Sequence, residues 1–169
     1  IVGSKLGNFS GQKNTYLAQI KDFLAKNPKL AKKVVFGGFI EDMPQVYWAS
    51  DVVVSTSSSS AESFGLALVE AASCAIPVVS TKTASQHLIV KNGQTGFLIP
   101  PKRPALLAEK VLTLAKNHNL RRIFGQNARK HVTDYFQLQD YVASVEKIYL
   151  SLLTNRLKSK RSKLLPLGK

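Results

Sequence analysis

Two carboxylates eight positions apart, Glu62 and Glu70, flank Gly65 within the stretch Ser55 to Ser80. A hydroxyl-rich loop leads to Glu62, the pair Phe64-Gly65 follows, and a run of small residues predicts a helix that carries Glu70. A helix starting near Ser63 points its first N–H groups, Ser63 to Leu66, outward, and unpaired amides with the helix dipole favour an anion there. Gly65 lets an anionic group reach the backbone without meeting a Cβ. Glu62, just outside the helix, is placed to accept hydrogen bonds from sugar hydroxyls. Glu70 lies roughly 8 Å along the axis from the helix mouth, at about 1.5 Å per residue. An elongated sugar-phosphate-nucleoside spans that offset, whereas a lone phosphate needs only one end of it. Spacing alone leaves a second account open, with Glu62 a solvated acid beside a helix start, Glu70 paired with a lysine and Gly65 a packing glycine. No G-x-G-x-x-G or Walker-type loop is present.

These residues need elements to hold them. Short apolar runs predict strands at Ile1 to Gly3, Val34 to Phe36, Val52 to Val54, Pro77 to Ser80 and Phe97 to Ile99. Helical periodicity predicts helices from about Lys13 to Lys26, closed by Asn27-Pro28, and over Met43 to Ala49, Gln86 to Val90, Pro104 to Lys116 and Leu120 to Tyr135. A last helix runs from about Leu138 into the tail on an apolar stripe of Tyr141, Val142, Val145, Ile148, Tyr149 and Leu152. Strands alternating with helices predict an α/β fold, a Rossmann-like doubly wound parallel sheet. Ligands of such sheets sit beyond the carboxyl ends of the strands. The loops after Gly37, Val54 and Val79 are therefore expected to border one cleft.

A chain of 169 residues that is 44% hydrophobic buries one core and reads as one domain, residues 1–154, with a basic tail at 155–169. No apolar run is long enough to span a membrane, and no signal peptide is visible. The chain has no initiator Met and opens in mid-strand, so it is expected to be a piece of something longer, truncated on its N-terminal side. Cys74 is the single cysteine and is expected in the core, and His87, His118 and His131 lack metal-ligand spacing, so no metal or other cofactor is expected. The net charge is +14, of which six charges (Arg156, Lys158, Lys160, Arg161, Lys163 and Lys169) lie in the tail, leaving +8 on the body. That field suits nucleic acid, anionic lipid or a phosphorylated small ligand.

The run E-S-F-G-L-A-L-V-E-A-A-S-C-A-I-P-V-V-S resembles the signature of retaining glycosyltransferases of family 4, which have the GT-B fold. V-V-F-G-G-F-I-E-D-M-P-Q-V-Y-W-A-S-D-V-V-V before it and N-G-Q-T-G-F-L-I-P-P after it are similar to the flanks of that signature. The resemblance covers residues 1 to about 152 in order. It implies the C-terminal, nucleotide-sugar-binding half of the enzyme, with a hexosyl group passing to a glycan or lipid-linked acceptor. It implies that Glu62 is catalytic and holds the transferred sugar's hydroxyls. It also implies that Phe64, Gly65 and Leu66 meet the donor, that Glu70 binds the ribose, and that backbone around Phe39, Ile40 and Glu41 meets the base. Catalysis would then be mainly positioning and stabilisation of the leaving diphosphate, without a metal.

Three departures stand out: Ala75 replaces a usual glycine, Thr83 to His87 replace a Gly-Gly pair and a glutamate, and the loop before Glu62 is long by one residue. They bear on donor identity rather than on fold. The bases that usually neutralise the diphosphate, and the domain that binds acceptor, belong upstream of Ile1. The chain alone is expected to bind donor weakly and transfer nothing. Its expected setting is the cytoplasm, with the tail (Leu157, Leu164, Leu165 and Leu167 among six bases) either disordered or docked on anionic membrane. The alternatives are a nucleotide-sugar epimerase or phosphorylase-like enzyme of the same fold, and a basic nucleic-acid-binding module. The E-x-F-G run speaks against the first two, and aromatics on core stripes rather than among lysines speak against the last.

Overall fold

The structure is a computed structural model that describes residues 15–57, 64–83 and 85–164. It divides into two compact units, residues 1–46 and 47–169. In the first, α1 (Thr15–Lys26) is followed at once by α2 (Pro28–Ala31). Asn27-Pro28 ends one helix, as expected, but also starts the next. Pro28 takes the first helical position, where its missing N–H costs nothing, and the Asn27 carbonyl accepts from the Leu30 and Ala31 amides at 2.9 and 3.0 Å. The buried strand expected at Val34 to Phe36 is absent. The Val34 amide is bonded back to the Ala31 carbonyl at 3.2 Å, so the run begins inside a turn, and Val35 is 73% exposed. The strand expected at Ile1 to Gly3 lies outside the described residues. Helix α3 (Met43–Trp48) then carries the chain into the second unit.

In that unit β1 (Val53–Ser55), β2 (Val78–Thr81) and β3 (Gly96–Ile99) form a parallel sheet in the order β1-β2-β3. Val53 pairs with Val78, and Val79 pairs with Phe97. The helices between and after them are α4 (Leu66–Ser73), α5 (Gln86–Ile89), α6 (Pro104–Lys116), α7 (His118–Tyr135) and α8 (Leu138–Leu164). All four residues of β2 are buried although their side chains alternate in direction, so both faces of the central strand are covered. Val79, Leu114 and Phe124 centre one core cluster, joined by Phe97, whose ring meets Phe124 edge-on at 5.4 Å. Helix α7 starts two residues before the expected Leu120, because the Asn117 side chain accepts from the Leu120 amide and caps it.

The turn after α4 fixes how α4 meets α7. The Ile76 amide bonds the Ala71 carbonyl and the Ala75 amide bonds the Ala72 carbonyl, which is a Schellman ending with Ala75 in the left-handed position at φ 58°. Glycine suits that conformation best, and this is the position where the resembled signature carries one. Gly125 of α7 lies against the same turn: a Cβ there would fall 1.9 Å from the Ala75 carbonyl oxygen. Helix α8 runs without a break across the boundary expected between residues 154 and 155, as far as Leu164. No glycine or proline interrupts that stretch before Pro166.

Candidate functional site

Helix α4 begins at Leu66, three residues later than expected, with Gly65 as its N-cap. Gly65 is buried and left-handed at φ 91° and ψ 54°, a conformation that a side chain at this point would strain. The mouth of the helix is therefore at Gly65-Leu66 rather than at Ser63. Its first-turn N–H groups, those of Leu66 and Ala67, have no helical carbonyl behind them, while the Leu68 amide is already bonded to the Gly65 carbonyl at 2.9 Å. The Ser85 hydroxyl donates to the Phe64 carbonyl at 3.1 Å, and the Phe64 ring packs 5.7 Å from that of Phe136, so the turn before the mouth is held on two sides. Glu62 and Ser63 lie outside the described residues.

Glu70 sits one turn inside α4, exposed, on the same helix as the mouth. The Tyr47 hydroxyl donates to its Oε2 at 2.8 Å. Tyr47 is only 4% exposed. Burial pushes its phenol above the usual tyrosine range, and the hydrogen bond to Glu70 and the Glu70 charge add to that. One helical turn further on, Cys74 is half-buried rather than fully in the core. Burial raises its thiol, Arg129 opposes the shift, and Glu70 adds to it. Tyr47, Glu70, Cys74 and Arg129 thus share one electrostatic neighbourhood at the α4–α7 contact.

A groove of about 700 Å³ opens beside the mouth, lined by Phe64, Leu66, Val69, Phe136, Asp140 and Tyr141 among others. That volume suits a small organic ligand. Positive charge gathers at the carboxyl ends of the strands. Thr56 after β1, Thr81 at the end of β2, and Lys102 and Arg103 after β3 line a cavity of about 160 Å³. Lys82, His87 and Lys91 line another of about 470 Å³. Phe39, Ile40 and Glu41 belong to the first unit, where Phe39 is 74% exposed and Glu41 is exposed. Of the residues singled out in the sequence, the structure gathers Phe64, Gly65, Leu66 and Glu70 at one helix start. Among the described residues, no three His, Cys, Asp or Glu side chains come together as metal ligands, and no helix is long and apolar enough to cross a membrane.

Residues 1–131 match the family described as glycosyl transferases group 1. The chain belongs to that family. Among solved structures it is similar to Anabaena Alr3699/HepE in complex with UDP-glucose, with a TM-score of 0.79 and 28% identity over 89% of this chain and 40% of that one. It is also similar to the C-terminal domain of a group 1 protein, LpcC of Francisella tularensis, with a TM-score of 0.67 and 28% identity over 76% of this chain and 66% of that one. Among curated proteins it is 30% identical over 130 residues to N-acetyl-alpha-D-glucosaminyl L-malate synthase of Bacillus anthracis, covering 77% of this chain but 34% of that protein. The chain therefore spans about a third of the length of that curated relative. The fold is the Rossmann-like α/β architecture of the C-terminal half of a GT-B glycosyltransferase.

Two contacts that join separate elements were not readable from sequence. Tyr47 sits 23 residues before the acid it bonds, on a separate helix. Arg121 bonds Asp51 at 3.1 Å and donates to the Leu114 and Ala115 carbonyls at 2.8 Å, which ties the start of β1 and the end of α6 to α7. This gives the aspartate of that run a structural account.

Proposed function

We propose that this chain is the donor-binding domain of a retaining hexosyltransferase that uses a nucleotide-diphosphate sugar. The observation that carries the reading is the start of α4, where a left-handed glycine opens a helix mouth and a carboxylate stands one turn inside the same helix. The helix mouth favours the diphosphate, and Glu70 is at the right offset to accept from the ribose diol. Basic side chains at the strand ends add an anion-attracting field. The solved Anabaena relative holds UDP-glucose, which makes UDP-sugars the first donors to try. Glu62 is assigned to the transferred sugar's hydroxyls and Phe39 to Glu41 to the base, both by resemblance to the family signature. The proposed acceptor is a glycan or lipid-linked acceptor, bound by a further domain, with the enzyme in the cytoplasm.

Transfer is proposed to proceed without a metal, so EDTA should leave the rate of the full-length enzyme, acceptor-binding domain included, unchanged. Titration calorimetry of the full chain with UDP-, GDP- and ADP-sugars tests the donor reading. One of the three should bind, and Glu70→Ala should weaken it about tenfold or more, the scale of a lost hydrogen bond to a charged group. Binding of none, or of one that is indifferent to Glu70→Ala, overturns it. Proton NMR of the anomeric centre in the full-length enzyme's product tests retention.

A further inference from the structure

We infer that Tyr47 is a positioning residue for the donor site: its buried hydroxyl holds the Glu70 carboxylate so that the other carboxylate oxygen faces the ligand's ribose. The inference rests on the proposed role of Glu70 and adds a residue to it. Three observations support it. The phenol is buried while the acid it bonds is exposed, so the fixed partner is the tyrosine and the group that is held is the glutamate. The bond is short, at 2.8 Å, and engages Oε2 alone, which leaves Oε1 to accept from a ligand. No arginine or lysine pairs with Glu70 among the described residues, so the tyrosine is its described side-chain anchor.

An unanchored glutamate on a helix surface samples several rotamers, and a ligand that needs one of them must select it. A hydroxyl donor restricts that choice without neutralising the charge, which a lysine or arginine partner would offset. The carboxylate thus stays a strong acceptor for a diol and is held in advance. Removing the hydroxyl should loosen recognition of the ribose and nothing else on the ligand.

The test compares ribo- and 2′-deoxyribonucleoside diphosphates on the full chain, using UDP, GDP and ADP with their 2′-deoxy forms and keeping the base that binds. The wild-type chain should prefer the ribo form about tenfold, and Glu70→Ala should abolish the preference. Tyr47→Phe should cut it to about threefold by weakening the ribo form alone, leaving the deoxy affinity and the melting temperature near wild type. If Glu70→Ala abolishes the preference and Tyr47→Phe keeps it whole, or if Tyr47→Phe weakens both forms equally, Tyr47 is a packing residue and the inference falls. If the wild-type chain shows no preference, if Glu70→Ala retains it, or if no nucleotide binds, the donor reading of Glu70 falls first.

Discussion

Tyr47 and Glu70 show what a single buried hydroxyl does to its neighbourhood. The folded phenol ionises above its ordinary value of 10.0, chiefly because burial disfavours the phenolate, with the Glu70 carboxylate adding to the shift. Because the folded value lies above the unfolded one, the linked stability is fully present below pH 10.0 and is lost as pH rises through the folded value. Urea melts on the alkaline side should therefore show the wild-type chain losing more stability than Tyr47→Phe, and the difference in phenolate absorbance between the two should appear late in a titration. Cys74 reports on the same acid from the other side. Glu70 adds to the upward shift of its thiol, so Glu70→Gln should lower the thiol's pKa and speed its alkylation by iodoacetamide. An unchanged rate would mean that the Glu70 charge does not reach the sulfur.

At the scale of elements, the α4–α7 contact sets where the site's helix sits. Ala75 occupies a left-handed position that costs an ordinary residue about 1–2 kcal/mol, and glycine's extra unfolded-state freedom returns about 0.4–1 of that. Ala75→Gly should therefore stabilise the chain by roughly 0.5–1 kcal/mol in urea melts. Gly125→Ala should do the opposite, by about 2 kcal/mol or more, since its Cβ would meet a backbone carbonyl that cannot swing aside. Much of this element layer was legible in the sequence. The valine runs of β1 and β2, the Pro104 start of α6 and the small-residue helix α4 follow from local patterning, and their places on a parallel sheet follow from strand-helix alternation. What was not legible depended on partners. Val34 to Phe36 has strand composition but begins in a turn, and the start of α4 was set by a glycine's φ that spacing does not encode. The Tyr47–Glu70 bond joins two elements whose contact no local pattern announces.

At the scale of the whole molecule, helix α8 carries exposed apolar side chains among the described residues. Leu138, Tyr141, Ile148, Tyr149, Leu150, Leu152 and Leu153 of α8 are exposed, on a helix of 27 residues that reaches roughly 40 Å at about 1.5 Å per residue. Exposed apolar side chains gathered along one helix suit an interaction face. The chain also spans 34% of its Bacillus anthracis relative and 40% of the Anabaena chain. Donor binding and transfer should therefore separate experimentally. If a further domain binds the acceptor, as proposed, the 169-residue chain should bind its nucleotide sugar weakly and should release no nucleotide in the presence of any acceptor. Calorimetry and a coupled nucleoside-diphosphate assay on the same preparation check both halves of that statement, and measurable transfer by these residues alone would refute it. The +14 charge supplies the control. Donor affinity carried by a few oriented groups should change little with salt, whereas a nucleic-acid module of this charge would bind RNA or DNA with affinity that falls steeply as salt rises. Donor binding that persists at high salt and weakens with Glu70→Ala thus assigns the charge to a supporting field rather than to the function itself.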